Sequence, residues 1–273
     1  MRFELSKEEW KKNYKKQISF LKKLQKKKGT LRFERGSVIA SDIGRQLYCE
    51  KKVEMAYLYG STETENMVFG SEGHQKLTEN YIKVDLEEAW KEIYTTESCW
   101  VSELLLIANY KNLFLAGKPD TIFFANGTPV MIFEFKFSKY SSSFPSHHIQ
   151  AETYGIILNE LGFDTSSLFY AIVILPFNMV SEIEKLKALT REIMLNFWTE
   201  KLYEKESSTL VFGEVNVFIQ KFNIREGKEK LDKTFGFWKR EREALPVDNQ
   251  NKCLSCEFQK KCPFYKKISK DFQ

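Results

Sequence analysis

Residues 117–137, GKPDTIFFANGTPVMIFEFKF, constrain this chain more than any other stretch. Two apolar runs meet at Asn126-Gly127, a pair with a strong preference for a tight β-hairpin turn. Asp120, Glu134 and Lys136 interrupt those runs. In an apolar strand such charges are costly unless they are paired, hydrogen-bonded or bound to a metal. Alternation puts Val130, Ile132, Glu134 and Lys136 on one face of the second strand and Met131, Phe133, Phe135 and Phe137 on the other. The α-carbons of Glu134 and Lys136 are then about 6.6 Å apart, so both side chains can address one ligand. One reading is a carboxylate from each strand holding a hard divalent cation, magnesium or manganese, beside a lysine that orients water or stabilises developing charge. The other is a Glu134–Lys136 ion pair with an unrelated strand-end aspartate.

Register separates these readings. A strict two-residue turn sets Asp120 opposite Phe133, on the other face from Glu134. Shared ligation needs a one-residue shift that pairs Asp120 with Glu134 or with Ile132. A three-residue loop with a glycine bulge supplies that shift, as does another one-residue bulge along the strands. We therefore expect a turn that is not a plain two-residue hairpin, or a bulge at Pro119, which cannot donate to the ladder, turning Asp120 inward.

With 273 residues, 42% hydrophobic and 15% aromatic, the chain can build a sizeable core. No run approaches the length of a membrane span, and the lysine-rich N-terminus lacks the apolar stretch of a secretory signal, so the expectation is a cytoplasmic protein with no membrane partner. Residues 1–36 carry 13 Lys/Arg against 4 Asp/Glu, residues 221–273 carry 14 against 8, and the stretch between carries 15 against 25. Basic ends around an acidic middle suit a phosphate-binding surface beside a cation site. The charge runs read equally as solvated helix faces. In the first helix Ser6 and Glu9 have capping-box spacing, and Trp10, Tyr14, Ile18, Leu21 and Leu24 recur at helical spacing.

The pattern predicts helices over 6–28, 41–59 and 66–83, then strands near 92–108, 112–125 and 130–138. A helix over 146–161, a strand at SLFYAIVIL, a helix over 180–204, a strand at TLVFGEVNVFI and a basic helix to Arg242 follow. The tail from Ala244 reads as a small irregular lobe. This order implies an α/β fold, a mixed central β-sheet flanked by helices. We divide it into an N-terminal basic helical region (1–60), a core (61–220) and a C-terminal basic helix with cysteine lobe (221–273).

Cys253, Cys256 and Cys262 form a C-x2-C-x5-C cluster followed by Pro263, and Cys49 lies far upstream. Three clustered thiols and a remote one make four ligands, enough for a 4Fe-4S cluster or a tetrahedral zinc. Cys99, beside Trp100, reads as a core residue. His74 falls on an apolar-lined helical face, as a core histidine would. Gln150 and Tyr154, four apart, share a helix face.

The order GxxxH (Gly70 to His74), PD (Pro119-Asp120), E-x-K (Glu134 to Lys136), QxxxY (Gln150 to Tyr154), with one cysteine before and three after, resembles the RecB-like branch of the PD-(D/E)XK nucleases. It is most similar to the CRISPR-associated RecB-like iron-sulfur exonucleases ("Cas-four"), over about residues 41–266. The resemblance implies that His74, Asp120 and Glu134, with the Phe135 carbonyl, bind catalytic Mn2+ or Mg2+, and that Lys136 acts on the attacking water. It implies that Gln150 and Tyr154 position nucleic acid and that Cys49, Cys253, Cys256 and Cys262 hold a 4Fe-4S cluster. Trp238 and Arg242 resemble the pair that precedes the family's cysteine lobe. The implied activity is exonucleolytic hydrolysis of single-stranded DNA or DNA ends, 5′ to 3′, in processing prespacers with the CRISPR integrase complex. A stand-alone or viral repair nuclease, or a non-catalytic iron-sulfur or zinc DNA-binding subunit, would carry similar motifs.

Overall fold

The computed structural model describes residues 9–26, 29–60, 86–181 and 183–265. Its helices are α1 (Glu9–Lys26), α2 (Ala40–Tyr48), α3 (Glu50–Tyr59), α4 (Leu86–Thr95), α5 (Pro145–Leu161), α6 (Ile183–Thr199), α7 (Ile224–Asp232), α8 (Phe235–Trp238) and α9 (Gln250–Leu254). Its strands are β1 (Ser37–Ile39), β2 (Ser98–Ser102), β3 (Leu106–Tyr110), β4 (Leu113–Gly117), β5 (Thr121–Ala125), β6 (Thr128–Phe137), β7 (Phe169–Leu175), β8 (Ser207–Phe212) and β9 (Val215–Lys221). The fold is mixed α/β. A six-stranded sheet runs β2-β5-β6-β7-β9-β8, and a three-stranded sheet runs β1-β4-β3. The parallel pair β6–β7, joined through α5, lies at the centre of the larger sheet, and its other pairings are antiparallel.

Alternation in β7 explains how both faces are covered. Tyr170, Ile172 and Ile174 point into a core shared with α5, α1 and α4, where Trp90 and Ile93 are fully buried. Phe169, Ala171, Val173 and Leu175 point the other way, against Leu189, Ile193, Met194 and Phe197 of α6. A strand buried on both faces reads as the continuous apolar run FYAIVIL. The first core draws residues from all three stretches of the sequence division, from Trp10 to Ala244.

Several elements differ from the sequence reading. Residues 86–95, expected in part as strand, form α4, whose Ala89, Trp90, Ile93 and Tyr94 recur at helical spacing. The remainder of that stretch breaks into β2 and β3 at Glu103, whose φ is 49°. The run 112–125 is two strands in two sheets, divided at Lys118–Asp120. TLVFGEVNVFI is a hairpin turning at Gly213, φ 61°. The helical region 41–59 is broken at Cys49, whose backbone is extended. In α1 the fully packed positions are Trp10, Asn13 and Gln17, while Ile18, Leu21 and Leu24 are half-buried. Asn13 donates to the Tyr94 hydroxyl (2.8 Å), and Gln17 bonds both the Leu105 carbonyl (2.8 Å) and the Ile107 N–H (2.9 Å). Gln17 thus acts as an extra partner at the start of β3 and Asn13 ties α1 to α4, which apolar periodicity cannot reveal. The expected helix over 66–83 lies outside the described residues, and so does His74. Among the described residues no helix is long and apolar enough to cross a membrane.

Candidate metal and nucleic-acid site

The hairpin turn is a plain two-residue one: Ala125 pairs with Thr128, and Asn126 and Gly127 have φ of 49° and 75°, the positive pair that a type I′ turn requires. That corrects the expectation of a longer loop, and the register shift lies neither in the turn nor at Pro119. It lies in β6, where Phe124 pairs with Pro129 but Phe123 pairs with Met131, leaving Val130 as the extra residue of a bulge. Val130 consequently packs with Met131 and Phe133 rather than on the Ile132 face. Beyond the bulge Thr121 pairs with Phe133, so the next residue back, Asp120, comes level with Glu134.

Asp120 does more than face the right way. Its Oδ2 accepts the Phe135 N–H at 2.7 Å, so its carboxylate continues the ladder where β5 ends. Glu134 is 1% exposed, and its Oε1 accepts from Lys136 Nζ (2.5 Å) and Gln150 Nε2 (2.6 Å). Gln150 Oε1 lies 3.2 Å from the same lysine. Gln150 also donates to the Tyr154 hydroxyl (3.1 Å), which in turn donates to the Lys118 carbonyl (3.2 Å). The helical spacing of Gln150 and Tyr154 thus becomes one hydrogen-bonded file along α5, aimed at the hairpin. Gly117 makes room for it, since a β-carbon there would lie 2.5 Å from the Tyr154 ring.

Burial acts to lower the Lys136 ammonium, but the charges of Glu134 and Asp120 and the Glu134 hydrogen bond together raise it above its ordinary value. Lys136 is therefore a fixed cation. Burial, reinforced by the same two carboxylates, pushes the Tyr154 phenol well up, so it stays neutral. His147 is pushed down to about 3 by burial, then by Lys136 and His148. Its Nδ1 lies 3.3 Å from the Phe144 N–H, which donates to it, and only a neutral ring can accept there.

Asp120, Glu134, Lys136, Gln150 and Tyr154 share one cleft of about 790 Å³. Its walls include residues that sequence reasoning passed over: Arg35, Arg45, Tyr48, Lys52, Lys118 and His147. The spacing of Arg45, Tyr48 and Lys52 was a signal for three of them, but lysines and arginines are too common in this chain for spacing alone to single them out.

Cys49, Cys253, Cys256 and Cys262 line one further cavity of about 30 Å³, and all are free thiols. Burial raises the Cys253 thiol, with Cys49 and Cys262 adding to it. Burial likewise raises Cys256, opposed by the Phe258 backbone and Lys52 and reinforced by Glu257 and Cys49. The remote and the clustered thiols are thus close enough to sense one another's charge. By the chemistry of its donors, a cavity lined by four cysteines suits an iron-sulfur cluster, whose positive charge would favour thiolate over thiol. Among the described residues no group of three or more His, Cys, Asp or Glu is arranged to hold a single metal ion. Tyr48 and Lys52 line both this cavity and the cleft, and so form the wall between them. Cys99 is buried in β2, and burial pushes its thiol up to about 11.

No family model matches the chain, and no curated protein does. Among solved structures, one described as the crystal structure of SSO0001 aligns over 94% of each chain, with 14% identity and a TM-score of 0.44. A likeness at that level decides neither fold family nor activity.

Proposed function

We propose that the chain is a metal-dependent nuclease acting on single-stranded DNA or DNA ends, built on a PD-(D/E)XK core with a C-terminal iron-sulfur lobe. The observation that carries this reading is the bulge at Val130. It brings Asp120 level with Glu134 and Lys136 at a cleft that also holds Gln150 and Tyr154. A Glu–Lys pair needs no such register, whereas shared ligation by two strands does.

Asp120 and Glu134 are the carboxylates that would hold Mn2+ or Mg2+, with the Phe135 carbonyl and His74 as the further ligands the resemblance implies. When bound there, the ion supplies Lewis acidity and a water of lowered pKa. Lys136 remains protonated, holds the water that attacks phosphorus and offers its charge to the phosphorane as that charge develops. Gln150 fixes both Glu134 and Lys136 through one amide, and Tyr154 anchors Gln150. The four cysteines would hold a 4Fe-4S cluster, and prespacer trimming is the setting this assignment suggests.

The decisive experiment incubates anaerobically purified protein with end-labelled single-stranded DNA and manganese, magnesium or chelator. Cleavage with the metals and none with chelator is expected. No cleavage with either metal overturns the reading. A brown protein with visible absorption is expected, and a colourless zinc-containing one would replace the iron-sulfur assignment.

A further inference from the structure

The cleft carries more positive charge than its carboxylates require. Its walls hold Arg35, Arg45, Lys52, Lys118 and Lys136 against Asp120 and Glu134. Lys136 is committed to Glu134, and Lys52 pairs with Glu257 of the C-terminal segment at 2.9 Å. Arg35 and Lys118 make up the surplus, and Arg45 is shared with Asp42.

The arginines of this region fall into two kinds. Arg32 donates to the carbonyls of Phe237 and Arg242, Arg240 to the Leu31 carbonyl, and Arg242 to the buried Glu50. They staple chain to chain and do not line the cleft. Of the described arginines only Arg35 and Arg45 line it. Arg45 is 39% exposed, with a loose 3.4 Å contact to Asp42, whose other oxygen accepts the Tyr57 hydroxyl at 2.5 Å. Arg35 lies over the Tyr57 ring at 5.7 Å, and that ring stacks on Phe33 at 4.3 Å. Tyr57 thus supports both guanidinium groups, one through its face and one through Asp42, which takes one donor of Arg45. The Arg35 guanidinium, oriented against a ring with its fork open, matches a phosphate oxygen pair, and Arg45 keeps one nitrogen on Asp42 while presenting its others.

We propose that Arg35 and Arg45, with Lys118, grip the sugar–phosphate backbone of the single strand whose scissile bond is presented to Asp120 and Glu134. This inference rests on the nuclease reading for its substrate. The arginines contact phosphates away from the reacting one, so they govern affinity rather than the chemical step.

The test separates the two. Anisotropy of a fluorescein-labelled oligothymidylate is measured in EDTA over a series of salt concentrations, where nothing is cleaved. Each of Arg35→Ala and Arg45→Ala should weaken binding several-fold and reduce the salt slope by about 0.7, the value for one phosphate contact on a single strand. Arg45→Lys should recover most of the slope. Lys205→Ala, outside the cleft, should leave binding unchanged. With manganese, the variants should need more strand for half-saturation and reach the same maximal rate. Wild-type affinity and slope in the Arg35→Ala/Arg45→Ala double variant, with an unchanged thermal midpoint, overturn the proposal, as does a lowered maximal rate at unchanged affinity. Wild-type protein that binds the oligothymidylate yet never cleaves it defeats the nuclease reading alone, because the binding arm still decides the role of the arginines.

Discussion

Lys136 and Glu134 are held at 2.5 Å by the strand that carries both, with Gln150 bonded to each. Glu134→Gln keeps the shape and most of the hydrogen bonds but removes the charge that would hold a cation. We expect manganese-dependent cleavage to fall at least about 100-fold, on the scale of a lost electrostatic contact in a transition state, with little change in thermal midpoint. Lys136→Ala should be as inactive. Near wild-type rates in either variant would refute the role of these residues. His147 gives a prediction in pH. Its folded pKa, about 3, lies below its ordinary 6.5, so the unfolded chain takes up a proton first on acidification. The stability this residue contributes is complete above pH 6.5 and declines as pH falls toward 3. An NMR titration of the imidazole should show no midpoint above about pH 5, the lower limit of the range in which an unperturbed histidine titrates, and one near 6.5 would contradict the half-buried, neutral ring. Sequence grouped Asp120, Glu134, Lys136, Gln150 and Tyr154, and the fold brings the five to one cleft. It did not carry the placing of Arg35 and Arg45 in that cleft, because which cations a fold brings to a cleft wall is a tertiary matter.

At the scale of elements, turn chemistry and register proved separable. Asn126-Gly127 specifies a two-residue turn and forms one, while the shift that aligns the site comes from Val130, a residue with no turn signature. Bulges are legible only through the faces they reassign, so Val130's packing with Met131 was not readable from alternation. The break of the 41–59 helix at Cys49 is illegible in sequence for a similar reason: the contacts around it are tertiary. Just beyond it, Glu50 is 7% exposed and accepts from Arg242, the Leu245 N–H (2.8 Å) and Gln46 (2.7 Å). Burial raises the Glu50 carboxyl, but those hydrogen bonds and the Arg242 charge outweigh it and hold the group below its ordinary value. Its stabilising contribution is therefore present above the unfolded pKa of 4.5 and is lost as pH falls through the folded value. Arg242→Ala leaves that carboxylate without its cation. We expect a cost of about 2–3 kcal/mol, below the 3–5 kcal/mol of a fully buried pair because the arginine is partly exposed. Urea unfolding should show the deficit at neutral pH and a smaller one below pH 4.5. An equal deficit at both would mean that packing, not charge, is what Arg242 supplies.

For the whole molecule, the question is what joins the ends of the chain. Clustered and remote cysteines suggested that a cluster clamps them, and the four thiols do share a cavity. Yet protein contacts already close much of the same gap. Trp238 is fully buried and donates to Gln46 at 2.7 Å, Arg242 meets Glu50, and Phe237 packs under the Arg32 guanidinium. From Pro246 onward the fastening is more exposed: Lys52 to Glu257, the buried Phe258, the cation–ring contacts Lys252–Tyr48, Lys51–Phe264 and Lys261–Tyr59, and the cysteines. Mechanical work by the proposed cluster would thereby fall on the last segment. Cys49→Ala should release iron as completely as Cys256→Ala, since each supplies one of four thiolates, whereas Cys99→Ala should not. In both cluster variants amide exchange should rise over 246–265 and stay near wild type over 224–242, where Trp238 and Arg242 hold without metal. Because Tyr48 and Lys52 stand between the thiol cavity and the cleft, oligothymidylate binding should weaken in step with iron loss. Exchange that rises equally across 224–265 would mean the cluster supports the whole C-terminal segment. Iron retained in Cys49→Ala would move the fourth ligand elsewhere.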